Sequence, residues 1–136
     1  MATQKKLYDL SYKIIGCAIE VHKQLGPGLL ESIYETCFKK ELGNAGLEVK
    51  SQQIVPIKYK EQNLGGNLKL DLLVNDLIIV EIKAVEILIP LFKAQLLSYL
   101  KLTGITKGLL INFNSANLKG NILSMVTGAF KSLPRK

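Results

Sequence analysis

Apolar side chains recur every three or four positions from early in the chain, at Leu7, Leu10, Ile14, Cys17, Val21 and Leu25. That spacing lines one helical face and predicts an amphipathic helix within residues 1–25. Gly26-Pro27-Gly28 stops it. A second helix is expected over 29–42, with Leu30, Ile33, Tyr34, Cys37, Phe38 and Leu42 on one side and Gly43 and Gly46 closing it. The period then shortens to two. Residues 47–60 read as β-type, ending in an alternation of Val55, Ile57 and Tyr59 against Pro56, Lys58 and Lys60. Gln62–Gly66 reads as a turn, and 67–74 and 77–83 as strands joined at Asn75-Asp76, the second apolar enough for burial on both faces. Pro90–Thr103 is expected to be helical, its proline suited to the first turn, and Gly104 ends it. Lys107–Phe113 is a further strand; the tail from Asn114 is polar, and Ile122–Phe130 fits strand or helix. This order predicts a single mixed α/β domain over 1–136.

Composition adds limits. A chain of 136 residues suffices for one core without staples, and 48% hydrophobic against 21% charged residues excludes disorder. No apolar run approaches the ~18–20 residues of a membrane span, so no membrane association is expected. The polar, lysine-bearing start lacks a secretion signal, and Cys17 and Cys37 make neither a disulfide framework nor a metal-ligand spacing. A reduced, cytoplasmic protein is expected. Eighteen basic against eleven acidic residues give +7, with Arg135 the lone arginine. A positive surface favours nucleic acid, and lysines, being mobile point charges, suit backbone contacts better than base readout. Solubilising lysines would account for the charge equally well.

In four places polar residues stand where apolar ones belong. Glu31 projects within about 20° of both Phe38 and Leu42 on the second helix, inside its apolar arc. Asp71 interrupts an apolar strand, although aspartate is a poor strand former and is costly to bury. Glu81 and Lys83, two apart, share one strand face. A strict two-residue loop at Asn75-Asp76 would set Asp71 opposite Val80; a three-residue loop or one bulge sets it opposite Glu81, on the face of Lys83. We expect the odd offset. Two strand carboxylates with Glu31 would form an all-oxygen cluster for a hard cation such as Mg²⁺, with Lys83 stabilising charge on a phosphate. Gln95 and Tyr99, at i and i+4, are expected to point inward from the third helix. Each position also has a plain reading: an exposed glutamate, a Glu–Lys salt bridge, a satisfied glutamine, a core tyrosine.

Asp71 followed by Glu81-Ile82-Lys83 resembles the D…(E)xK signature of the PD-(D/E)XK nuclease-like superfamily, with leucine at 70 in place of the proline. Gln95-x-x-x-Tyr99 resembles the extra motif of RecB-type members, and Gly28-x-x-Glu31-x-x-Tyr34 that of the GxxExxY family. The stretches Ile19–Lys23, Gln95–Leu100 and Leu110–Asn114 are similar to that family too, so the likeness spans about 7–118, leaving a short C-terminal element. The resemblance implies a restriction-endonuclease-like αβββαβ core, a central mixed sheet flanked by helices. It implies catalytic roles for Glu31, Asp71, Glu81, Lys83, Gln95 and Tyr99, with Mg²⁺ or Mn²⁺ on Glu31, Asp71 and Glu81. The implied activity is metal-dependent phosphodiester hydrolysis of DNA or RNA with little base specificity. Similar folds also serve as non-catalytic nucleic-acid-binding or protein-interaction modules, and these are the alternatives. His22 reads as a helix-terminal residue complementing the dipole, and Asn112, Asn114 and Asn117 as turn formers. Oligomeric state is not specified by the sequence.

Overall fold

The computed structural model describes residues 2–65 and 68–136. Gly66 of the expected turn and Asn67 of the following strand lie outside the described residues. Helix α1 runs Gln4–Leu25, capped where the Thr3 hydroxyl accepts the Lys6 N–H, and Gly26 ends it at φ 67°. Helix α2 covers Glu31–Asn44, two residues later than the apolar pattern suggests. Five strands form the main sheet among the described residues: β1 Val49–Val55, β4 Leu68–Val74, β5 Ile78–Lys83, β6 Lys107–Asn112 and β7 Ile122–Val126, side by side in the order β1-β4-β5-β6-β7. Between β1 and β4, the short strands β2 (Lys58–Tyr59) and β3 (Gln62–Asn63) pair separately about a turn at Lys60-Glu61, so Gln62 and Asn63 of the expected turn are strand. Helix α3, Pro90–Thr103, crosses from β5 to the parallel β6. The ambiguous stretch 122–130 resolves into both possibilities, β7 and then the short helix α4, Gly128–Lys131.

The sheet has an apolar layer on each face. On one side α1 and α2 set Leu7, Ile14, Tyr34 and Phe38 against Leu72, Val80, Ile82 and Ile111. On the other, Leu96 and Leu100 of α3 meet Leu68, Leu70, Leu73, Ile79 and Leu110. Burial on both faces explains why β5 and β6 read as continuous apolar runs. Gly108 lets α3 approach β6, since a Cβ there would stand 2.9 Å from a Leu96 methyl. The ladder β5–β6 ends at Lys83 opposite Asn112. Buried Asn112 clamps the chain leaving β5, accepting the Val85 N–H (3.1 Å) and donating to the Val85 carbonyl (2.9 Å). His22 ties the end of α1 to the loop after β6, donating to the Ser115 carbonyl at 2.6 Å. At the opposite end of β6, buried Lys107 reaches the Ser124 hydroxyl at 2.9 Å and stands over the rings of Tyr8 and Phe130. Burial pulls its ammonium below the usual lysine range. No described helix is long and apolar enough to cross a membrane.

Candidate functional site

The β4–β5 turn has the odd offset. Leu72 pairs with Val80 and Val74 with Ile78, leaving Asn75, Asp76 and Leu77 in the loop. Asn75 and Asp76 take left-handed φ of 52° and 54°, which these residue types tolerate better than most. Asn75 also fastens the turn to the start of β1, exchanging hydrogen bonds with Glu48 (2.8 Å each).

Continued one step, this register sets Asp71 opposite Glu81, but the main-chain ladder stops at Leu72–Val80. The side chains take over. The Asp71 N–H donates to Glu81 Oε2 and the Ile82 N–H donates to Asp71 Oδ2, each at 2.9 Å. Each carboxylate therefore satisfies a backbone donor of the other strand, and the strands part around the two acids. Strand β4 also turns over here: Leu68 and Leu70 pack under α3, whereas Leu72 packs under α1 and α2. Across from Asp71, β1 skips the matching rung at Gln52, whose φ of 51° is left-handed. A distortion of this kind re-aims a side chain, and strained backbone concentrates at functional sites.

Two carboxylates in one partly dry gap cannot both ionise cheaply. Burial, then the neighbouring Asp71, pushes Glu81 from its ordinary 4.5 up to about 8. The Asp71 N–H and the Lys83 ammonium pull the other way, and Glu35 adds to the rise. Lys83 is half-buried, its ammonium 4.5 Å from the centre of the Phe92 ring on α3. No ion pair joins Lys83 to Glu81 among the described residues. Half-buried Tyr99 also belongs here: burial first, then Glu81 and Asp71, raises its hydroxyl above the usual tyrosine range.

Two expectations need correction. Glu31 is exposed, the first residue of α2, and its carboxylate makes no hydrogen bond among the described residues. Its direction around the helix matches Phe38, but it stands at the helix's end, beyond the packed turns. Gln95 is likewise exposed and does not point inward. The neighbours that suggested an apolar side, Leu91 and Leu102, are themselves 66% and 46% exposed. Among the described residues no group of three or more Asp, Glu, His or Cys side chains stands close enough to hold a metal ion, so the three-carboxylate cluster is not assembled.

The acid on α2 that does reach the distorted strand is Glu35, which the sequence reading missed. It accepts from Gln52 Nε2 at 2.6 Å and from the Ser51 hydroxyl at 3.2 Å, fastening α2 to β1 beside Asp71. Its signal was present: Glu35 lies one helical turn beyond Glu31. Gly28 and Tyr34 are architectural. Gly28 adopts φ 101°, and fully buried Tyr34 donates to the Gly26 carbonyl (2.6 Å) while accepting the Leu29 N–H (3.1 Å). This bond pair and the Tyr34–Phe113 ring stack hold the connection that sets where α2 begins.

A strand aspartate, a following strand's Glu-x-Lys on an adjacent register, and a parallel crossover helix make up the fold's polar end. Residues 8–124 match the PD-(D/E)XK nuclease superfamily. The chain belongs to that superfamily. No curated protein matches it, and no solved structure does. The mixed α/β sheet flanked by helices is the architecture of this superfamily.

Proposed function

We propose that this protein is a metal-dependent nuclease hydrolysing phosphodiester bonds of DNA or RNA with little base specificity, the whole chain forming one PD-(D/E)XK domain. The observation that carries the reading is the Asp71–Glu81 arrangement. The two acids interrupt a strand ladder and meet backbone N–H groups in place of cations, and Asp71 beside Glu81 adds to the rise in Glu81's proton affinity. A structural salt-bridge network would instead have paired Lys83 with Glu81. Among the described residues, neither Asp71 Oδ1 nor Glu81 Oε1 meets a hydrogen-bond donor.

This donor set suits Mg²⁺ or Mn²⁺, because Mg²⁺ is commonly held by one or two carboxylates plus substrate phosphate and needs no all-protein cage. Asp71 and Glu81 would hold it, and the bound ion supplies charge neutralisation and water activation. Lys83, packed on Phe92, offers a fixed positive charge to the phosphate undergoing attack. Tyr99 borders the acids from α3. Glu31 and Gln95, both at exposed helix positions, act in this reading on bound substrate. Within the superfamily we assign the chain to the GxxExxY kind on Gly28, Glu31 and Tyr34, with Gln95 and Tyr99 as the RecB-type pair. Two free cysteines support the expected cytoplasmic setting.

The test is cleavage of labelled single-stranded, duplex and branched DNA and of RNA, with Mg²⁺ or Mn²⁺, by wild type and Asp71→Asn. Metal-dependent cleavage by the wild type, reduced by at least about a hundredfold in the variant, is expected, the loss being of the size typical for an essential electrostatic group. Equal binding by both proteins without cleavage would sink the reading and favour a binding module.

A further inference from the structure

The chain leaves the main sheet between Val55 and Leu68, at the end where β5 finishes in Glu81-Ile82-Lys83. In that interval β2 and β3 form a ribbon, with Lys58 opposite Asn63 and Tyr59 opposite Gln62. Lys60 and Glu61 turn it with left-handed φ of 49° and 65°, and the Leu64 N–H closes its base on the Ile57 carbonyl at 3.1 Å. All of Lys58–Asn63 is exposed. A two-stranded ribbon is marginal alone in water, and nothing in this segment's burial accounts for its sequence. Tyr59 is 59% exposed, with the Lys60 ammonium 5.4 Å from its ring centre, so the ring presents open surface beside a cation. Lys58, Lys60 and, at the ribbon's base, exposed Lys69 stand against one acid, Glu61.

We propose that this ribbon binds a single-stranded segment of nucleic acid, Tyr59 stacking on a base and Lys58 and Lys60 meeting phosphates, and so leads the strand toward Asp71 and Glu81. The polyanion is chosen on the nuclease reading above. Stacking on an aromatic ring tolerates any base, in keeping with a surface that carries lysine rather than arginine forks. Leu68 precedes Asp71 by three strand residues, about 10 Å at ~3.3 Å per residue, so the ribbon's base stands close to the acids. The geometry favours single strands over duplex. Two residues per strand reach about 7 Å, short of the ~8.5 Å depth of a major groove, and Tyr59 needs an unpaired base face.

Fluorescence anisotropy on the full chain in EDTA separates binding from cleavage, using oligothymidylate, oligouridylate and a duplex, each of about 15 nucleotides or base pairs, within the site sizes such proteins cover. Wild type should prefer the single strands. Tyr59→Ala should weaken single-strand binding by about 5- to 150-fold, while Tyr59→Phe keeps it. Replacing Lys58 and Lys60 by Gln should lower the slope of log K against log salt by about 1.4. Unchanged binding by Tyr59→Ala, or tighter duplex binding indifferent to Tyr59, overturns the proposal, as does the absence of nucleic-acid binding. Ribbon-dependent binding without cleavage in Mg²⁺ would refute only the nuclease reading. Cleavage with binding indifferent to the ribbon would refute only this one.

Discussion

Replacing Glu81 by Gln should make the protein more stable at high pH. Glu81 is buried, and with Asp71 beside it its carboxyl titrates at about 8 instead of 4.5. Between those values the folded chain holds a proton that the unfolded chain has released, so stability falls as pH rises from about 4.5 to about 8 and is flat above. At about 1.4 kcal/mol per pH unit, the gap between 4.5 and 8 corresponds to a loss of up to about 5 kcal/mol, less whatever the parted strands recover by relaxing. In Glu81→Gln the carboxamide oxygen still accepts the Asp71 N–H, and the charge facing Asp71 is gone.

Urea denaturation of both proteins in EDTA, from pH 4.5 to 9, gives the difference curve and cancels the other titrating groups. The variant should match the wild type near pH 4.5 and exceed it by several kcal/mol at pH 9, in line with the gap between 4.5 and about 8. A difference that is flat within about 1 kcal/mol, or that favours the wild type as pH rises, would refute the reasoning, because Glu81 would then be an ordinary charged carboxylate. Mg²⁺ adds a second arm. At a hundredfold excess over its Kd it should return about 2.7 kcal/mol to the wild type above pH 8, and much less to the variant.

Three further perturbations divide architecture from chemistry. Glu31→Gln, at an exposed position without a hydrogen bond, should change stability by less than about 0.5 kcal/mol in urea denaturation, whereas Glu35→Ala should cost about 1–2 kcal/mol by leaving Ser51 and Gln52 without their acceptor. Equal effects would contradict the placement of these two acids. Tyr34→Phe removes the hydroxyl that bridges Gly26 and Leu29 and should cost about 1–3 kcal/mol; an unchanged urea midpoint would show that the ring stack alone holds the connection.

The elements were legible because each apolar stripe has a real layer to meet: α1 and α2 on one face of the sheet, α3 on the other. The hairpin offset was legible for the opposite reason. Asp71 and Glu81 are so costly inside apolar strands that only a register bringing them together accounts for both. The reversal of β4 at Asp71 was not legible. It takes two strands to make it, with Gln52 left-handed across the gap, and glutamine carries no local preference for that conformation. Glu35 was hidden similarly, looking like any polar-face residue until β1 arrives beside it.

Glu31 shows what helical projection leaves out. Angle around a helix axis says which way a side chain points, not whether the helix is still over the sheet at that height. Glu31 shares its angle with Phe38, but two turns separate the end of α2 from the middle of its buried face. A site at the end of a sheet is bordered by just such residues, so inward burial is the wrong test for them. Glu81 is desolvated in the folded chain alone, and titration and denaturation read it without substrate. Glu31 and Gln95 carry no such cost, so any role they have is absent from stability and visible only in binding or turnover. A Glu31→Gln variant that folds like the wild type and fails to cleave therefore assigns Glu31 to the chemistry, a conclusion that a buried residue, whose loss disturbs both, could not deliver.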